Sequence, residues 1–281
     1  MRRSRPLARP TRLSSPDLAG PPTPSDYWRR EDDVRLDNVA VVLVEPARPE
    51  NVGAAARAMK TMGLRRLIVV GSDAWRSGKA RALAVGAGEL LEAVEEYATL
   101  AEAVEQMRAV AITTARRRRR TRPVHPVEAV APHLLSIAKS GPVAIVFGRE
   151  EWGLRTEELL LGDFWTTIPM ATAYPSLNLA QSIMLVCHEI AKASTGSLPD
   201  YPWEPAPKGE RQRVLDHAAE TMLKAGLQPR PDIEGYQMVL GRVLDRALLE
   251  DRDVQVLHGL FHQMDIYMHR YKLQNKETTH A

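Results

Sequence analysis

The residues best equipped for chemistry fall in three short segments. The first, Pro49-Glu50-Asn51-Val52-Gly53-Ala54-Ala55-Ala56-Arg57-Ala58-Met59, opens a helix in which Asn51 is a candidate N-cap and Gly53 permits close approach at the helix start. Neither reason accounts for Arg57, one turn in among alanines small enough to let a neighbour or a substrate reach its guanidinium. The second segment, Phe147-Gly148-Arg149-Glu150-Glu151-Trp152-Gly153-Leu154, is a strand ending in a glycine-framed charged turn. It reads equally as a solvated turn or a ligand loop. The third comprises Ile168-Pro169-Met170 and Tyr174-Pro175-Ser176-Leu177-Asn178-Leu179-Ala180. Ser176 or Asn178 would serve as a helix N-cap, and the same hydroxyl, amide and free N–H groups would also bind a polar substrate.

Other constellations fail residue by residue. Gly78-Lys79 looks like the end of a phosphate loop, but the leading glycine would fall on Asp73, and Ala80 replaces the hydroxyl that would hold magnesium. Gly86-Ala87-Gly88 lacks its third glycine, with Leu91 in that place. These failures argue against ATP and against a dinucleotide-dependent oxidoreductase. His258 and His262 share a helix face, with His269 nearby, yet no third ligand has motif spacing, so no metal is expected. Cys187-His188 lies in an apolar helix, where packing explains the thiol.

Charge is distributed unevenly. The 281 residues carry 38 Lys+Arg and 35 Asp+Glu, formally +3, but residues 1–24 alone hold five arginines and one acid, leaving the remainder at −1. That proline-rich start cannot bury enough apolar surface to order itself and is expected to be a disordered tail, 1–33. Within the body, Arg116, Arg117, Arg118, Arg119, Arg120 and Arg122 follow a strand-like run directly, a position at which α/β proteins bind ligands. A solvated loop is the ordinary reading of such a run. Its placement favours contact with a phosphate backbone. The longest clean apolar run, Val39 to Val44, is far too short to cross a bilayer, and with one cysteine no internal disulfide can form. A cytoplasmic protein without membrane contact is expected.

The elements that must position these groups alternate. Strands are expected at 39–44, 66–70, 109–113, 143–147 and 164–168, and helices at 53–62, 77–85, 100–107, 126–138, 155–161 and 178–193. This order implies an α/β fold, a parallel sheet covered by helices on both faces. Residues 195–208 contain four prolines and read as a linker, and 209–281 read as a helical extension of three amphipathic helices.

Together, Asn-x-Gly-Ala-Ala-Ala-Arg at 51–57, Phe-Gly-x-Glu-x-x-Gly-Leu at 147–154 and Ser-Leu-Asn at 176–178 resemble the three signature blocks of the SpoU class of SPOUT RNA methyltransferases. The likeness spans roughly residues 38–194. Thr113-Thr114-Ala115-Arg116, the proline linker and Ala225-Gly226-Leu227 in the helical tail resemble that class's TrmJ-type branch. The resemblance implies a methyltransferase domain over 34–194 with a C-terminal trefoil knot, a feature that general folding rules would not suggest. It implies methyl transfer from S-adenosylmethionine to a ribose 2′-hydroxyl of tRNA, at cytidine or uridine 32 of the anticodon loop, by a homodimer.

Carried over by position, Thr113, Thr114, Ala115, Gly148, Ile168, Met170, Pro175, Ser176 and Leu177 would enclose the cofactor. Arg57 matches the catalytic arginine, with stabilisation of charge preferred to a role as base, and Asn51, Glu150, Ser176 and Asn178 match polar positions expected to orient Arg57 and the ribose. The family's turn carries fewer arginines than the run at 117–120, which is where this chain departs from it. Two alternatives stay open: an rRNA 2′-O-methyltransferase of the same class, and a catalytically silent RNA-binding relative.

Overall fold

The computed structural model describes residues 34–115, 123–171, 177–195, 204–227 and 232–279, all within one compact unit. Strands β1 (Val39–Val44), β2 (Arg66–Val70), β3 (Glu95–Tyr97), β4 (Ala109–Thr113), β5 (Val124–Pro126), β6 (Val143–Phe147) and β7 (Phe164–Thr167) form a single parallel sheet in the order β3-β2-β1-β6-β4-β7-β5. The helices are α1 (Val34–Asp37), α2 (Pro49–Thr61), α3 (Gly78–Leu83), α4 (Gly88–Glu92), α5 (Leu100–Val104), α6 (Val127–Ile137), α7 (Thr156–Leu160), α8 (Leu179–Ser194), α9 (Lys208–Lys224), α10 (Ile233–Ala247) and α11 (Asp251–Thr279). The expected α/β fold is present, with three helices after residue 207.

The central strands are apolar throughout because both faces are covered. Val39, Val41 and Leu43 point into a core shared with Val52 and Met59 of α2, Leu134 of α6 and Ile183 of α8. Ala40, Val42 and Val44 point the other way, onto Leu100 of α5 and Leu159 of α7. All five expected strands are present, the last stopping at Thr167. Two more, β3 and β5, form the outer edges of the sheet. Each has three residues, reading Glu-Glu-Tyr and Val-His-Pro, with no apolar run to announce it. A proline is tolerated in β5 because an edge strand has one row of backbone donors without partners.

The N-cap assignment of Asn51 needs correcting. Helix α2 starts at Pro49, whose fixed φ and missing N–H suit the first helical position, and Arg48 is the cap, without a side-chain bond. Asn51 therefore sits inside the first turn with its amide free for other work. Asn178 does cap α8, accepting from the Ala180 N–H at 2.9 Å in a capping box with Gln181. Ala225-Gly226-Leu227 closes α9: Gly226 has φ +79°, its N–H donates to Leu223 O, and the Leu227 N–H donates to Met222 O, the pattern of a glycine C-cap.

The C-terminal helices have a small core of their own, Ala206, Val214, Leu249 and Val254. A buried ionic cluster joins them to the sheet. Asp163, ahead of β7, accepts from Arg211 at 2.7 and 2.9 Å, from Lys208 at 3.2 Å and from the Val110 N–H at 2.9 Å, while Lys208 also donates to Asp245 at 2.8 Å. The contact lies at the end of the sheet where β4 and β7 begin.

Candidate active site

Because β1, β6, β4 and β7 are neighbours and parallel, their C-terminal ends share one edge. That edge is where open α/β sheets bind ligands. It gathers the start of α2, the turn after β6, Thr113–Ala115 after β4 and Ile168–Met170 after β7. Thr113 Oγ1 donates to Val146 O at 2.8 Å and the Thr114 N–H donates to Thr166 O at 2.9 Å, so the β4 turn is tied to both neighbours. Gly148, Ile168, Met170 and Leu177 are half-buried and Ala115 is exposed. Ile168 packs on the core beneath it. Pro175 and Ser176, like Arg116, Arg117, Arg118, Arg119, Arg120 and Arg122 and the segment expected to complete the knot, lie outside the described residues.

A polar chain crosses this edge. Glu150 accepts from the Ala47 N–H and from Asn51 Nδ2, each at 3.0 Å, and from the Arg48 N–H at 3.4 Å. A carboxylate offers only acceptors, so it selects the amide nitrogen of Asn51 and turns Asn51 Oδ1 toward Asn178 Nδ2, 3.0 Å away. Burial alone would raise the Glu150 carboxyl, but the donors from Ala47, Asn51 and Arg48 outweigh it and hold it below the ordinary carboxylate range. Glu150 is thus an anion at neutral pH, and it ties the β6 turn to the start of α2.

Asn51, Glu150 and Asn178 are brought together. Arg57 stands apart. Six residues farther along α2, about 9 Å up the axis, it is exposed, and its guanidinium makes no hydrogen bond or ion pair among the described residues. Gly53 lies between them for a steric reason: a Cβ there would meet Ala80 O of α3 at 2.0 Å. Gly53→Ala is expected to push α3 off α2 and cost about 1–3 kcal/mol, the usual range for overpacking; a thermal midpoint equal to wild type would show that the contact gives way cheaply.

Sequence reasoning missed Arg149 and Glu45. Arg149 is buried, and it bonds Glu158 through Nη1 at 2.8 Å and Nη2 at 2.9 Å, and Glu45 through Nε at 2.8 Å and a second, shorter contact from Nη2. Its guanidinium also stacks on Trp152, 4.2 Å from the ring centroid. Hydrogen bonding to Glu45 raises the Arg149 pKa and lowers that of Glu45. The available signal was a charged residue on each side of the problem: a glutamate directly after an apolar strand, and an arginine inside a glycine-framed turn. Gly148 serves that same turn, since a Cβ there would meet the Gly153 carbonyl carbon at 2.4 Å.

The remaining candidates take no part in this edge. Cys187 is in the core, and burial pushes its thiol up to about 12. His258 Nδ1 lies 2.9 Å from His217 Nδ1 in a stacked pair between α9 and α11, and His262 is exposed. No group of three metal-capable side chains occurs among the described residues.

A profile of the SpoU rRNA methylase family matches residues 38–188, which contain every residue of this edge. The chain belongs to the SpoU methylase family. Among SpoU relatives, the uncharacterized tRNA/rRNA methyltransferase LasT of Escherichia coli K12 is 36% identical over 230 residues, 81% of this chain and 97% of that one. The tRNA (cytidine/uridine-2′-O-)-methyltransferase TrmJ of Pectobacterium atrosepticum is 34% identical over 80% of this chain and 95% of its own length. The crystal structure of TrmJ from Z. mobilis ZM4 superposes with a TM-score of 0.70 at 33% identity, covering 80% of this chain and 98% of that one. The likeness to these SpoU proteins covers more of the chain than residues 38–188 alone.

Proposed function

We propose that this SpoU protein is an S-adenosylmethionine-dependent tRNA ribose 2′-O-methyltransferase acting at cytidine or uridine 32 of the anticodon loop, as a homodimer. The observation that carries the reading is the match to TrmJ-named proteins over 80% of this chain and 95% of theirs, with Asn51, Glu150 and Asn178 joined at the strand-end edge.

The strand-end residues fit the cofactor. Thr113, Thr114, Ala115, Gly148, Ile168, Met170, Pro175, Ser176 and Leu177 would hold it, offering backbone polar groups and apolar side chains suited to an adenine. Near them at the end of β7, Thr166 Oγ1 is buried with no hydrogen-bond partner among the described residues, a polar atom that calls for an answering group. S-adenosylmethionine supplies an electrophilic methyl group when bound. Arg57 holds RNA phosphate or the developing 2′-alkoxide through its planar fork of donors. The anionic Glu150, occupied by the donors of the α2 turn, fixes Asn51 and Asn178 in place, and positioning of this kind lowers the barrier by pre-paying orientation.

The test is to incubate the purified full chain with S-adenosylmethionine and unmodified total tRNA, then map 2′-O-methyl groups. A new methyl at position 32 is expected; none on tRNA would refute the assignment. The name of LasT favours one second reading, methylation of rRNA, so ribosomal RNA belongs in the same assay. The six arginines at 116–122 are proposed to grip RNA phosphate. Replacing Arg117 to Arg120 with serine is expected to reduce the log–log salt slope of tRNA binding by roughly 3, at about 0.7–0.9 per lost phosphate contact; an unchanged slope rules the contact out.

A further inference from the structure

Two consecutive residues of the β6 turn hold one short stretch of chain. Glu150 takes the N–H groups of Ala47 and Arg48, and Arg149 takes the carboxylate of Glu45. That stretch is the whole connection from β1 to α2. It is also the connection that sets where α2 begins, because Arg48 makes no side-chain cap and Pro49 contributes no N–H. Glu45 has φ +43°, in the left-handed region that a glutamate rarely occupies, so its backbone is strained. Strain of this sort persists only where surrounding contacts over-determine it.

The contacts here are unusually complete. Arg149 has a 6% exposed side chain and uses all three guanidinium nitrogens on two carboxylates, Glu45 and Glu158. Trp152 covers a face of it, and Arg155, 3.6 Å from Glu45, balances the second negative charge. Glu158 is itself fixed by the Arg155 N–H at 2.7 Å, at the start of α7. The chain of contacts therefore runs from α7 through Arg149 to Glu45 and into the turn that leads to α2, the helix that carries Asn51 and Arg57.

We propose that Arg149 is a positioning residue for methyl transfer: paired with Glu45, it locks the β1–α2 turn against the β6 turn and sets the placement of Asn51 and Arg57. The inference rests on the methyltransferase reading above, but the lock itself does not. A role confined to stability would make activity follow folding. Positioning separates the two, and Glu45 supplies the variant that shows it. Glycine occupies φ +43° without strain, so Glu45→Gly removes the carboxylate and relieves the backbone together.

The experiment uses the full-length protein as Glu45→Gly and Arg149→Lys, measuring thermal midpoint, kcat and KM with S-adenosylmethionine and tRNA, and amide hydrogen exchange across residues 44–52. Pro46 and Pro49 have no N–H, so the Ala47 and Arg48 amides stand isolated and are easily read. For Glu45→Gly the midpoint is expected to hold while kcat falls roughly 10–100-fold, the scale of a 1 Å misplacement, with KM for S-adenosylmethionine moving less than about threefold. Both variants are expected to exchange the two amides at least about tenfold faster. Unchanged protection in both variants overturns the lock, and faster exchange with kcat intact overturns its role in positioning. Absence of methyl transfer by the wild-type protein counts against the proposed function alone, since exchange still reads the lock.

Discussion

Arg57→Ala is expected to lower kcat for tRNA methylation by about 10²–10³-fold, the scale seen when one donor to a developing oxyanion is removed. The affinity for S-adenosylmethionine is expected to stay within about threefold. The fold has little reason to respond: Arg57 is exposed, its guanidinium bonds nothing among the described residues, and alanine is the best helix former for the middle of α2. Loss of activity without loss of structure is therefore the signature. Arg57→Lys refines it. Lysine keeps a positive charge but replaces the planar fork with a single ammonium. Activity near that of wild type would exclude any role that depends on the fork; activity as low as that of the alanine variant would place the effect in bidentate geometry. An Arg57→Ala protein with wild-type kcat would remove Arg57 from the mechanism altogether.

What the sequence disclosed follows from how local each cause is. Val39–Val44 announces itself because a strand covered on both faces must be apolar along its whole length. Glu95–Tyr97 and Val124–Pro126 could not announce themselves, because an edge strand of three residues is defined by its neighbour and carries no pattern of its own. Asn51 misled at short range: Asn is a good cap, but two residues earlier Pro49 takes the first helical position, which moves Asn51 inward and frees its amide for Glu150 and Asn178. Recognition of the three signature blocks identified those partners by family likeness, although they are 99 and 127 residues from Asn51. The pairing of Arg149 with Glu45 was invisible for a different reason. It spans 104 residues and depends on a positive φ at a glutamate, which no propensity scale anticipates.

The ionic cluster that anchors α9 belongs to the same class of long-range fact, and it carries the largest expected effect on stability. Asp163, fully buried, answers Arg211 and Lys208 from 48 and 45 residues away. Removing it as Asp163→Ala strands two buried cations, with Asp245 left to serve both. Breaking a buried pair in this way is expected to cost about 3–5 kcal/mol, enough to take a large share of the stability of a typical domain. Chemical denaturation of wild type and variant measures it, and a difference under about 1 kcal/mol would mean that water or Asp245 compensates. The pH dependence has a definite sign. Burial alone would raise the Asp163 carboxyl, but Arg211 and Lys208, helped by hydrogen bonds from Arg211 and the Val110 N–H, hold it well below the ordinary range. A carboxyl with a depressed folded-state pKa contributes its stability in full above its unfolded pKa, about 3.9, and loses it as pH falls from there toward the folded value. Wild type is therefore expected to lose stability steeply below about pH 4, while Asp163→Ala, lacking this group, follows a shallower slope through the same window. Parallel slopes in the two proteins would show that Asp163 is not the group that titrates.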